Sequence, residues 1–216
     1  KTVGEVRVME KNNFLKDRKK PTETDVALAI AYYPMLVEIS ARQKMITFDQ
    51  FVQNAKARHP KDQAVQNAIP VSTGRRLEFV RVFTELNGFP DLSAWVVNKA
   101  GKNSAAYSAD YDPDVERENS ANTDWSLYQN EWDAHVAELK KLSIKLKRRK
   151  PDEARKLMAN FARKMRSKIE ASIPNKKKLP YTLLIKPYRE YILESLMEGK
   201  DIGSVFDDTI FDPTDD

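Results

Sequence analysis

Apolar residues recur at steps of three and four through most of the chain, the period of a helix with one buried face. The first such run follows Thr22 or Thr24, either of which can cap it. Ala27, Leu28, Ile30, Ala31, Leu36, Val37 and Ile39 form its core face, and Pro34 is expected to kink or split it. Thr47 followed three residues later by Gln50 is a capping box, so a second helix is expected to run to His59 and stop before Pro60. Lys61–Ala68 reads as a short helix or a loop. Ser72 or Thr73 is the expected cap of the next helix, with Leu77, Val80, Phe83 and Leu86 as its stripe and Gly88 just past its end.

Residues 92–99 change character. Trp95, Val96 and Val97 favour a strand, Asn98–Gly101 a turn, and Ser104–Tyr107 a returning strand. Helix periodicity then resumes. Trp125, Tyr128, Trp132, Val136, Leu139, Leu142 and Leu146 fall on one stripe of a helix expected to end near Arg149, because Pro151 disfavours helical geometry at Lys150. Pro151 suits the first position of a further helix, with Asp152 and Glu153 at its positive end and Ala154, Leu157, Met158, Phe161, Met165 and Ile169 as its apolar stripe. A last helix is expected from Pro187 to Met197, closed by Gly199.

Charge sharpens this picture. From Glu138 to Lys178 there are sixteen Lys or Arg against four acids, a local net of +12, whereas the whole chain carries +5. Lys140–Lys150 contains no acid, unlike an ordinary solvated helix face with mixed signs at i,i+4. Lys141, Lys145, Arg148, Arg155, Arg163 and Arg166 lie off the apolar stripes and are the candidate phosphate contacts; the competing reading is a bundle that its charges merely solvate. The first 20 residues read as a basic arm with one weak edge strand around Val3–Val8. Residues 201–216 hold six Asp and no Lys or Arg, interleaved with Phe206, Ile210 and Phe211, which read as anchors for a protein partner.

The expected fold is mainly α with a small β-hairpin: a winged helix-turn-helix-like module over 21–119, a basic helical hairpin within 120–199, and an acidic tail over 200–216. In that arrangement Arg75 and Arg76 start the recognition helix and Arg81 follows them. Lys99 and Lys102 mark the wing tip, and all five become candidate nucleic-acid contacts. The block LNGFPDLSAWVVNKAGKNSAAY, with Gly88, Pro90, Leu92, Val96, Val97, Asn98 and Gly101, resembles a block in small, poorly characterised bacterial and phage proteins of winged-helix-like character. The chain departs from that pattern after Gly101, where Lys102, Asn103 and Ser104 replace a second Gly. The resemblance covers about a quarter of the chain. It implies a phage or mobile-element context, with the cytoplasm of a bacterial host cell as the expected location, and it carries no catalytic residue.

Candidate chemistry is sparse. With no Cys, disulfide frameworks, thiol catalysis and Cys-ligated zinc are excluded. No apolar run reaches the roughly 20 residues of a membrane span, and no secretory apolar segment is read. The chain opens on Lys1, so its start is expected to be processed or to lie upstream. Asp110, Asp112, Asp114, Glu116 and Glu118 suggest a cation loop, but Val115 and Ala121 occupy the positions where a calcium loop needs Gly and Glu. Asp114, Glu138 and Lys140 can be assembled into a nuclease-like set, yet Glu138 and Lys140 flank a core Leu in a periodic helix. His59 and His135 lack a nucleophile pattern, and Trp95, Trp125 and Trp132 are expected in the core rather than stacked on bases. No metal and no cofactor are expected. Two function classes follow. One is a non-enzymatic nucleic-acid-binding protein, with DNA favoured over RNA and self-association through the Trp125–Leu146 stripe as a variant. The other is an inhibitor or adaptor that docks on a host nucleic-acid-processing enzyme.

Overall fold

The computed structural model describes residues 20–103, 111–172 and 189–205, and for 165–172 the backbone alone. It is mainly helical, with a two-stranded parallel sheet. The first helix, α1 (Glu23–Arg42), starts at a capping box: Asp25 N–H donates to Thr22 Oγ1 (3.1 Å) and Thr22 N–H to Asp25 Oδ2 (2.8 Å). It runs unbroken through Pro34, contrary to a split there. The ring removes the N–H that would bond the Ile30 carbonyl. Pro34 is exposed and Ile30 is 39% exposed, so the site lies on the solvent side, where water can satisfy that carbonyl.

The strand β1 (Ile46–Thr47) leads into α2 (Phe48–Arg58), whose Thr47–Gln50 capping box forms as expected. A single turn, α3 (Gln63–Gln66), follows, and then α4 (Pro70–Asn87). This last helix begins before the expected caps, because Pro70 is already set for the first helical position. Ser72 and Thr73 therefore lie inside the first turn and donate their hydroxyls to the Ile69 carbonyl (3.2 and 2.9 Å). Gly88 ends α4 at φ +68, the left-handed value a C-terminal Gly supplies.

The expected strand over 92–99 contracts to β2 (Val96–Val97). Asp91 caps a 3₁₀ turn (Leu92–Trp95) ahead of it through Ser93 N–H (2.7 Å). β2 pairs in parallel with β1, Ile46 opposite Val96 and Thr47 opposite Val97. The Asn98–Gly101 turn forms, with Gly101 N–H on the Asn98 carbonyl (3.0 Å); the expected return strand Ser104–Tyr107 lies outside the described residues. Next come α5 (Pro113–Ala121), a 3₁₀ turn (Trp125–Tyr128) and α6 (Gln129–Leu142).

Helix α6 stops short of the expected end near Arg149. Ser143 turns extended and its hydroxyl donates to the Lys140 carbonyl (2.8 Å), while Ile144 pairs in parallel with Thr22. Two long-range backbone bonds, Ile144 N–H to Pro21 O (2.9 Å) and Glu23 N–H to Ile144 O (3.2 Å), replace the helical ones. Beyond the non-helical stretch 143–150 lie α7 (Pro151–Ser172), α8 (Arg189–Met197) and a helical turn at 202–205. The expected hairpin of two basic helices is replaced by a different pairing: α7 packs its apolar stripe on α8.

Two cores result. The larger joins α1, α2, α4 and α6 around Tyr32, Phe51, Phe83, Trp132 and Leu139. In it Trp132 stacks on Tyr33 with ring centroids 4.1 Å apart, and Phe83 meets Trp132 edge-on. All three Trp are buried, as expected, and His135 is packed there too, donating from Nε2 to the Phe79 carbonyl (3.0 Å). The Trp125–Leu139 part of the stripe is therefore consumed within the chain and is not free for self-association. The smaller core joins Ala154 and Met158 of α7 to Tyr191, Ile192 and Leu196 of α8 and to Val205, with Val71 of α4 against it.

Candidate nucleic-acid interface

The basic run from Lys145 to Lys150 is a non-helical segment held at both ends. Its start is fixed by the Ile144–Thr22 pairing. At its far end Arg149 N–H donates to the Met197 carbonyl (2.9 Å), and the Arg149 guanidinium donates to the carbonyls of Leu196 (3.0 Å) and Lys200 (2.9 Å). Those carbonyls lie at and just beyond the C-terminal end of α8, where a cation is favoured. Gly199, at φ +102, lies over this segment, and a Cβ there would collide with the Lys147 carbonyl oxygen. One of the five cations in the run is thus structural. The other four, Lys145, Lys147, Arg148 and Lys150, are exposed.

The segment runs directly into α7, whose first turn is capped when Lys150 N–H donates to Glu153 (3.1 Å). Arg155, Lys156, Arg163 and Lys164 are exposed, on the side of α7 away from Ala154 and Met158. Arg155 pairs with Asp152 at 2.9 Å, an exposed i,i+3 contact too weak to withdraw its charge from a ligand. No described residue forms an ion pair with Lys145, Lys147, Arg148, Lys150, Lys156, Arg163 or Lys164. Arg166 continues the same helix, with its side chain outside the described set. Lys156 shares the far side of its helix with Arg155 by the same periodicity, whereas Lys147, Lys150 and Lys164 are counted in the charge excess without being assigned to a face.

The other candidates are placed elsewhere. Lys141, exposed on α6, pairs with Glu138 (3.2 Å). Lys99, 88% exposed, lies 3.4 Å from Asp49 at the start of α2, and Lys102 closes the Asn98 turn nearby. Arg81 is half-buried and paired with Glu78. Arg75 donates to the Tyr191 hydroxyl (2.6 Å) with its guanidinium 4.3 Å from the centre of the same ring. Arg76 is corrected outright. It is only 3% exposed, in ion-pair contact with Asp25 and Glu198 and 3.6 Å from Glu194, so it cannot reach a phosphate. The early start of α4 is the reason. Both arginines sit in its second turn, against α8, rather than at its mouth. Phe206, Ile210 and Phe211 lie outside the described residues, whereas Val205 before them is buried in the smaller core.

Four of the carboxylates considered for chemistry have structural partners, and Asp110 lies outside the described residues. Asp112 caps α5 by accepting from Asp114 N–H (2.9 Å) and Val115 N–H (3.3 Å); Asp114 pairs with Arg117. Glu116 accepts from Asp91 N–H, and Glu138 holds Lys141. Among the described residues no group of three or more His, Cys, Asp or Glu is placed to hold a metal ion, and no helix is long and apolar enough to cross a membrane. No family model, curated protein or solved structure matches the chain.

Proposed function

We propose that this chain is a non-enzymatic nucleic-acid-binding protein that grips the phosphate backbone of DNA through residues 145–150 and the outer face of α7. The observation that supports this reading is the run of exposed cations without acidic partners, on a segment pinned by Ile144 at one end and Arg149 at the other. Flexible lysines on a loop would lose entropy on binding; a segment already tethered at both ends loses less. Lys and Arg on phosphates set position without reading bases, so the expected binding is strong at low salt and indifferent to sequence.

The test is a salt series on two unrelated DNA duplexes, comparing the wild type with K145E/R148E/R163E. The variant is expected to bind both duplexes more weakly, with a log–log salt slope shallower by about 3, because three phosphate contacts are lost. These side chains are exposed, so its melting temperature should stay within about 2 °C of the wild type. An unchanged slope would mean that the charges only solvate the fold.

A further inference from the structure

Helix α8 carries Glu194, and Glu198 and Lys200 follow just past its end, onto a guanidinium that α4 buries. Arg76 is held there by Asp25 of α1 and by Glu198, with Glu194 Oε2 at 3.6 Å, and Lys200 Nζ lies 3.4 Å from Glu198 Oε2. Three carboxylates thus face two cations in a site where all three acids are buried. Neither Glu194 Oε2 nor Glu198 Oε2 accepts a hydrogen bond. One oxygen of each glutamate is thus buried without a donor, and one proton relieves both the charge excess and one of those unpartnered oxygens.

We propose that Glu194 carries that proton and that the docking of α8 on α4 is a pH-dependent latch, closed when Glu194 is neutral and loosened when it ionises. Burial pushes the Glu194 carboxyl up to about 7; Glu198 reinforces the rise, and Arg76, Lys200 and Ser72 oppose it. Of the other groups facing the site, Asp25 and Tyr32 are both displaced away from that window. Burial works to raise Asp25, but Arg76, Lys200 and Thr22 outweigh it and hold its carboxyl below the ordinary 3.8. Burial pushes the Tyr32 phenol above its usual range. Opening the latch carries two carboxylates into water. It also withdraws the Leu196, Met197 and Lys200 carbonyls on which Arg149 rests.

The sign follows from the two states. Glu194 titrates near 7 when docked and near its ordinary 4.5 when released. Docking is therefore complete below the lower value, weakens about tenfold per pH unit above it, and levels off past 7. The experiment is hydrogen exchange on the full chain, reading amide protection across Ile192–Met197 from pH 5 to 8 after correction for intrinsic rates. Wild-type protection should fall by roughly a hundredfold, and E194Q should be flat over the same range. A flat wild type, or an E194Q variant with the wild-type slope, would overturn the proposal. Direct titration of the Glu194 carboxyl carbon by NMR needs no variant. A midpoint near 7 supports the latch, and a midpoint at the ordinary value of 4.5 rejects it.

Discussion

Arg76 and Glu198 are 122 positions apart in sequence and form a buried ion pair. That pair ties α4, in the larger core, to the end of α8, in the smaller one. It also shows how a basic dipeptide on a helix serves the fold rather than a ligand: Arg75 lies across Tyr191 while its neighbour is enclosed by acids.

Replacing Arg76 with Met should cost about 3–5 kcal/mol, because Asp25, Glu194 and Glu198 would remain buried with Lys200 as their only counter-charge. Thermal unfolding should show a drop on the order of 10 °C. Arg75→Ala, which loses a half-buried cation–π contact and one hydrogen bond, should cost about 1 kcal/mol.

Gly199→Ala tests the seat of the basic segment. The substitution forces a side chain into positive φ and against the Lys147 carbonyl, a strain of about 1–3 kcal/mol. Limited trypsin digestion should then cut within Lys145–Lys150 faster than in the wild type. An unchanged cleavage rate would mean that the segment keeps its seat without this contact.

Ser120 gathers three contacts in the larger core. Its Oγ accepts from Trp95 Nε1 (2.8 Å) and from Ser40 Oγ (3.3 Å) and donates to the Arg117 carbonyl (3.0 Å). Ser120→Ala strands the buried indole N–H and should lower stability by about 1–3 kcal/mol, measured by urea denaturation with an unchanged m-value. Placing the variant on the same salt series should leave its DNA slope as in the wild type.

Residues 206–216 carry five Asp and are tethered at Val205, which packs against the same α7 that bears the basic face. A tethered polyanion competes at high effective concentration. Deleting 206–216 should therefore raise DNA affinity a few-fold, roughly, at low salt, and the gain should vanish near 1 M salt, where the screening length is about 3 Å. Phe206→Ser with Phe211→Ser should leave that affinity alone, because it changes no charge.

The sequence by itself determined what depends on residues within about four positions of one another. The Thr47–Gln50 cap, the Gly88 stop, the Pro151 start and the burial of Trp125, Trp132 and Leu139 were legible in this way, while Thr22 and Thr24 stood as equal candidates for the first cap. Only the tertiary structure decided the rest. Nothing near Arg76 in sequence indicates that it is buried, because the acids that make burial tolerable come from α1 and from the end of α8. The apolar period of α6 continues to Leu146, yet pairing of Ile144 with Thr22 and the carbonyls that hold Arg149 keep 143–150 out of the helix. Val96–Val97 reads as half of a hairpin, but its partner is Ile46–Thr47, some fifty residues earlier. Local hydrogen bonding and sterics set where helices begin and end. Which charges face water is settled by desolvation and by partners that distant parts of the chain supply.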